Sequence, residues 1–205
     1  MIGSTILSKM RNFRDDQKGV IAIETVILIP VLIWGYIAMF TIFDTYRQYT
    51  TQQKAAYTIS DLISRQVSEL DADFIDGTHE LFIELSRSNV VPGLRVTVAK
   101  YDFVNAEYAV VWSRTRGGMI GLQSQDVAEW TDRLPILAPK DQIIIVETRS
   151  IYTPAFNIGL GDRNIGNFVF TRPRYSTQVC YDDGSVEICD LPGTDPPEED
   201  ENEQA

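Results

Sequence analysis

A long apolar stretch interrupted by a single carboxylate constrains this 205-residue chain more than any other feature. Residues 20–43 carry no charge except that of Glu24. As a helix, these 24 residues would extend about 36 Å, which is enough to cross a hydrocarbon core of about 30 Å with some tilt. The sequence therefore predicts one membrane-spanning helix. Pro30 removes a backbone hydrogen bond within it and is expected to kink it.

The charges on either side of the stretch predict its orientation. Four cations lie in residues 1–18, whereas the first dozen residues after the stretch hold two, Arg47 and Lys54. The positive-inside rule places the basic leader, residues 1–19, in the cytoplasm and the remainder of the chain on the opposite side. Because no small-x-small cleavage site follows the apolar run, we expect the segment to be retained and not removed as an ordinary secretory signal.

Residues 44–191 are predicted to form one α+β domain that begins with a continuation of the same helix. Apolar and small residues recur at gaps of three and four beyond Phe43, which favours one long helix that lays a stripe on the domain. A break is expected near residues 68–71. The members of the predicted stripe are Tyr46, Tyr49, Gln53, Ala56, Ile59, Ile63, Val67 and Leu70.

A second helix and an antiparallel sheet are predicted after the break. The helix is expected from about Asp73 to Arg87, with one apolar side formed by Phe74, Leu81, Phe82 and Leu85. Alternation predicts a half-buried strand at residues 94–99, paired in a hairpin with a strand at residues 107–114 whose Tyr108, Val110 and Trp112 share a face. The continuous apolar run at residues 143–146 suits a central strand, and residues 168–171 and 175–180 are expected to supply the last strands.

The two cysteines bracket a turn signal. Cys180 and Cys189 enclose eight residues that include Asp183-Gly184, a dipeptide typical of hairpin turns. Outside the cytoplasm such a pair is expected to form a disulfide, with two free thiols as the alternative. A zinc site is disfavoured, because the only histidine, His79, lies about a hundred residues away and no Cys-x-x-Cys pair exists.

Composition argues against several functions. The net charge is −11, but six acidic residues lie in the Pro-containing tail, residues 192–205, which leaves −5 for the rest of the chain. This tail is expected to be disordered, and no basic stripe suited to nucleic acid is present. We find no catalytic constellation and expect a non-enzymatic protein without a cofactor or metal. The Gly117-Gly118 segment lacks the lysine of a phosphate loop, and Asp71, Asp73 and Asp76 lack the remaining ligands of a calcium loop.

Glu24 admits two interpretations. A carboxylate this close to the membrane surface can reach the headgroups or become protonated, with no further role. Alternatively, a peptidase cuts after Gly19 and leaves the amino group of Val20 one helical turn from Glu24. Neutralisation between the new terminus of one subunit and Glu24 of the next would then drive side-by-side assembly of helices in the membrane.

The same residues carry a resemblance to a known family. A basic segment, Gly19, Ala22, Glu24, an apolar run and Pro30 resemble the N-terminal pattern of TadE-like proteins of the tight-adherence pilus system, which are related to type IV pilins and pseudopilins. The resemblance covers about 30 residues. It implies a pilin-like fold, a processing junction at Gly19 and Val20, an assembly contact at Glu24, and a position in the bacterial inner membrane with a periplasmic domain.

The resemblance also implies partners and leaves alternatives open. The expected partners are the inner membrane, other pilus-assembly proteins and pilin subunits, and a prepilin peptidase. Thr25 stands where pseudopilins of this system commonly carry Tyr or Phe, so an uncleaved scaffold of the same apparatus is one alternative. Another is a membrane-anchored periplasmic binding or sensing domain, with the loop region from Gly159 to Gly166 as its ligand rim.

Overall fold

The computed structural model describes residues 18–88 and 90–191, with side chains from residue 23 onward. The chain has an α+β fold with a long N-terminal helix and an antiparallel sheet. The leader before residue 18 and the acidic tail from residue 192 lie outside the described residues. The helices are α1 (Lys18–Ser64), α2 (Ala72–Ser86) and α3 (Ser124–Val127), followed by a 3₁₀ turn (Trp130–Asp132); the strands are β1 (Gly93–Asp102), β2 (Glu107–Arg116), β3 (Gln142–Tyr152), β4 (Arg163–Thr171), β5 (Tyr181–Asp182) and β6 (Glu187–Ile188).

Helix α1 runs without interruption from the apolar stretch into the domain, as the periodicity predicts. Its 47 residues extend about 70 Å at the usual helical rise. The predicted stripe is wrong in part, because Tyr46, Tyr49 and Gln53 are exposed. The helix also ends at Ser64, before Val67 and Leu70. The buried side is instead the one that packs on the core cluster with Val96 and Ile144. Its members are Gln52, Ala55, Ala56, Ile59, Ser60, Ile63 and Ser64.

Helix α2 lies one residue from its predicted start and end, but it buries a different side. Asp71 caps it by accepting a hydrogen bond from the Phe74 amide at 2.7 Å. Ile75, Thr78, Phe82 and Ser86 face the core, whereas Leu81 and Leu85 are exposed. The prediction that Leu81 and Leu85 share the core side is therefore wrong, because small polar Thr78 and Ser86 occupy the buried positions at helical spacing.

The four-stranded sheet has the order β2-β1-β3-β4, and all of its neighbours are antiparallel. The β1–β2 hairpin and the central position of β3 confirm the sequence predictions. Strand β1 differs from expectation, because Thr97 and Ala99 on its second side are buried too. β1 lies between two strands with both faces covered, so its apparent polar face is not solvated.

A β-bulge changes which residues of β2 share a face. Val98 pairs with Trp112 and Ala99 pairs with Val110, which leaves Val111 as the extra residue. Tyr108 and Val110 consequently pack on one side of the sheet, while Trp112 packs on the other. The prediction of a common face for these three side chains is wrong for Trp112, since one inserted residue reverses the alternation.

Two hydrophobic layers enclose the sheet. One layer contains Ile59 and Ile63 of α1 and Phe82 of α2, packed against Val96 and Ile144. The other layer covers the opposite face with Val127, Leu134 and Leu137, which pack against Ile143, Ile145 and Tyr108. The uninterrupted apolar run of β3 thus serves both layers, which is the physical reason for its lack of alternation.

The last segment is irregular where a strand was expected. Residues 175–180 form no strand, and the short strands β5 and β6 lie further along, on either side of Asp183. The Leu70 amide donates to the Cys180 carbonyl oxygen at 2.9 Å, and the Asp182 amide donates to the Leu70 carbonyl oxygen at 2.8 Å. The break between α1 and α2 therefore provides the hydrogen bonds that hold this hairpin.

The chain divides into two compact units. Among the described residues, one unit contains residues 18–45 together with the loop Pro154–Leu160, and the other contains Tyr46–Thr153 and residues 161–191. The first unit holds the apolar part of α1. The second holds the sheet, both of its hydrophobic layers and the β5–β6 hairpin.

Candidate assembly site in the N-terminal helix

Glu24 lies on an exposed, apolar part of α1. It sits nearly two turns from the start of the helix at Lys18, and Ile27 and Leu28, its neighbours one turn further on, are exposed as well. A carboxylate on such a surface requires headgroups, a proton or a cation from another molecule if the surface is surrounded by lipid. The geometry therefore leaves Glu24 available to an outside partner.

The remainder of the stretch is apolar and exposed on nearly every side. α1 is the one helix among the described residues that is long and apolar enough to span a membrane. A helix that is apolar all round is stable only when lipid or other helices surround it. The exposed side chains include Val26, Ile29, Leu32, Trp34, Tyr36, Met39 and Phe43.

Comparisons with family models, curated proteins and solved structures found no match.

The predicted processing junction falls at the start of α1. Because α1 begins at Lys18, the Gly19–Val20 peptide lies in its first turn. Val20 precedes Glu24 by four positions, which places the Val20 nitrogen about one turn, or roughly 5–6 Å, along the helix from Glu24. A free amino group at Val20 would therefore lie beside Glu24 of its own chain or of a parallel neighbour.

Pro30 lies in the interior of α1, six positions beyond Glu24. Its ring removes one hydrogen-bond donor from the helix, so that one carbonyl oxygen within the span has no intrahelical partner. The kink expected from this loss stays a prediction.

The predicted disulfide between Cys180 and Cys189 is confirmed. It closes a hairpin whose turn is organised by Asp183, which accepts hydrogen bonds from the amides of Ser185 and Val186 at 3.0 and 2.9 Å. These bonds, together with the one from the Ser185 hydroxyl, lower the pKa of Asp183 to about 2. Gly184 provides the positive φ of the turn, as expected for an Asp-Gly pair.

A buried ion pair that the sequence did not reveal holds the same segment. The Lys100 side chain is only 1% exposed, and its Nζ lies 3.0 Å from Oδ1 of Asp190. Gln178 donates to Oδ2 of Asp190 at 3.3 Å. Lys100 lies on the same side of β1 as Val96 and Val98, where alternation places buried side chains. No local pattern reveals its partner, because Asp190 lies ninety residues further along the chain.

Other candidate residues have structural contacts. His79 Nε2 donates to the Pro92 carbonyl oxygen at 2.8 Å, which ties α2 to the start of β1. Of the three aspartates that resemble a calcium loop, Asp71 caps α2 and Asp76 pairs with Arg116. These side chains therefore cap α2 or join it to the sheet.

Among the described residues, one group brings three metal-ligating side chains together: Cys180, Glu187 and Cys189. Both sulfur atoms belong to the disulfide and are not available as thiolates.

The loop expected to form a ligand rim, from Gly159 to Gly166, is only partly a loop, because β4 begins at Arg163 and Gly166 lies inside that strand. A cleft of about 130 Å³ lies elsewhere, beside Val91, Gly93 and Met119.

Proposed function

We propose that this protein is a non-enzymatic assembly subunit of a tight-adherence pilus, a TadE-like minor pilin or pseudopilin anchored in the bacterial inner membrane with its domain in the periplasm. The observation that carries the proposal is Glu24, the only charge between Lys18 and Asp44, on an exposed apolar helix five residues after Gly19. Its partners would be pilin subunits, other assembly proteins and a prepilin peptidase.

The mechanism follows from charge pairing in a medium of low dielectric. Cleavage after Gly19 would convert the Val20 amide into a cationic amine, one helical turn from a carboxylate. Two parallel helices could then neutralise both charges by pairing the amine of one with Glu24 of the other. Leaving either charge unpaired in hydrocarbon is costly, so pairing would favour ordered association of the helices.

The remaining architecture is consistent with this role. A long helix continues from the apolar segment into a domain with an antiparallel sheet and a late disulfide, an arrangement similar to that of pilins. Fold-level similarity is an analogy and the proposal depends on Glu24 instead.

The N-terminal sequence of the protein from its native membranes tests the processing step. A chain beginning at Val20 supports the pseudopilin form. An intact Met1, or a start at another residue, contradicts it. Intact-mass measurement of the same material identifies any mixture of the two forms.

Variants of Glu24 test the charge pairing. Glu24→Gln keeps the size of the side chain but removes its charge, and Val26→Leu serves as a control that alters a neighbouring exposed position without altering charge. We expect Glu24→Gln to insert normally and to lose pilus assembly, while Val26→Leu assembles. Normal assembly by Glu24→Gln would contradict the electrostatic role.

One observation favours an uncleaved scaffold of the same apparatus as the second candidate. The Gly19–Val20 peptide lies within the first turn of α1, whereas proteases require an extended substrate, so cleavage needs that turn to unwind. A full-length protein that remains in the membrane and still supports pilus formation would favour the scaffold.

A further inference from the structure

The loop between β3 and β4 is apolar, and its apolar side chains are half-buried, except that of Phe156, which is exposed. Residues 153–161 contain no charge, and apolar side chains alternate along them: Pro154, Phe156, Ile158 and Leu160. The Phe156 side chain is 45% exposed. A partly exposed apolar loop of this kind in water would be unfavourable, since each such side chain gains free energy by leaving water.

This loop packs against the apolar part of α1. Pro154–Leu160 belongs to the same compact unit as that part of the helix, and the Phe156 ring contacts the Phe40 ring edge-on, with centroids 6.1 Å apart. One side of α1 is covered at this level, because Thr41 is 2% exposed whereas nearby Phe43 is 63% exposed. The loop is thus attached to the helix at a defined position along its axis.

That position corresponds to the far boundary of a bilayer. Lys18 marks the near side, and Phe40 lies 22 residues further along, about 33 Å at the helical rise, close to the thickness of a hydrocarbon core. The first charges beyond it are Asp44 and Arg47. Exposed Phe43 and Tyr46 follow Phe40 within two helical turns, and aromatic side chains are typical of a membrane interface.

We propose that the loop Pro154–Leu160 is a second membrane contact, which inserts Phe156 and Ile158 into the outer interface of the bilayer that α1 spans. The lipid is the partner, because the loop is uncharged and lies where lipid would surround the helix. Its irregular backbone suits the interface, where water reaches peptide groups, and one amide, that of Gly159, is already bonded to Asn157 Oδ1 at 3.2 Å.

This inference rests on the membrane anchoring contained in the proposed function, but not on cleavage or pilus assembly. The test uses the full-length chain in phosphatidylcholine–phosphatidylglycerol liposomes at a high lipid-to-protein ratio. Because both native cysteines are in the disulfide, Phe156→Cys can be labelled selectively with a nitroxide. Collision of the label with oxygen, which partitions into lipid, is compared with collision with a water-soluble nickel complex.

Two matched labels serve as references. Ile29→Cys, in the middle of the span, should favour oxygen strongly, and Val186→Cys, exposed on the β5–β6 hairpin, should favour the nickel complex. We expect the label at Phe156→Cys to collide more often with oxygen than with the nickel complex. Its oxygen-to-nickel collision ratio should lie between those of the two references.

Three results would overturn the inference in distinguishable ways. If the label at position 156 behaves like that at 186 while the label at 29 is in lipid, only the loop contact fails. If the label at position 29 is in water, membrane anchoring and the proposed function fail together. If the label at position 156 is shielded from both reagents, the loop contacts protein and lipid is not its partner.

Discussion

Removal of the disulfide is expected to weaken the domain without abolishing its fold. The double variant Cys180→Ala/Cys189→Ala frees a loop whose ends are nine positions apart in sequence. The loop-closure model gives about 2.6 kcal/mol for the added entropy of the unfolded chain. That loss is a substantial share of the 5–15 kcal/mol typical of a domain, so the midpoint of denaturation should fall clearly.

The β5–β6 hairpin should nevertheless stay packed on the domain, because the buried residues that hold it lie on either side of Cys180. Val179 and Tyr181 are buried in the core, and Trp112 Nε1 donates to the Val179 carbonyl oxygen at 2.8 Å. The backbone bonds between Leu70 and residues 180 and 182 are also independent of the sulfurs. The native arrangement of the segment is therefore expected in the variant.

The assay is urea denaturation of the full-length protein in detergent, followed by hydrogen exchange of the peptide that contains residues 179–182. Reduced wild type should match the double variant, and the variant itself should be unaffected by reductant. A loss below about 1 kcal/mol would refute the loop-entropy reasoning. A variant that fails to fold would show instead that the disulfide, and not the buried side chains, holds the segment.

Three further variants test separate features. Phe82→Ala, at a fully buried position of α2, should cost about 3–5 kcal/mol of unfolding free energy, whereas Leu81→Ala, 38% exposed, should cost less than about 1 kcal/mol; equal losses in urea denaturation would contradict the buried side described for α2. Gly117→Ala should lower the melting temperature more than Gly118→Ala, because both glycines have positive φ but an added Cβ at 117 alone would lie 2.2 Å from the Pro92 carbonyl oxygen; similar shifts would refute the steric argument. Asp183 has its pKa lowered to about 2, so its stabilisation of the turn is fully present above its usual pKa and is lost as pH falls toward 2; the protection factors of amides 185 and 186, which correct for the intrinsic pH dependence of exchange, should fall over that range in wild type and should stay constant in Asp183→Asn.

The candidate assembly site consists of residues that lie close together in sequence, and for that reason the sequence alone could predict it. Gly19, Glu24 and Pro30 lie on one helix, so their spacing along the chain is their spacing in space. The Cys180–Cys189 disulfide could also be predicted from the sequence, because a short hairpin brings its own ends together. The loop contact at Phe156 could not, since its partner Phe40 lies more than a hundred residues earlier.

Local patterns by themselves determined the two long helices, the β1–β2 hairpin, the central position of β3 and the membrane-length segment of this protein. They did so because hydrophobic spacing sets which elements can form wherever one face must be buried. Only the tertiary structure decided which faces those were. The bulge at Val111 reversed the alternation of β2, the C-terminal segment supplied Asp190 as the partner of buried Lys100, and the contacts of α2 buried Phe82 while they left Leu81 exposed. Each of these depends on a partner distant in sequence, and local spacing carries no information about such a partner.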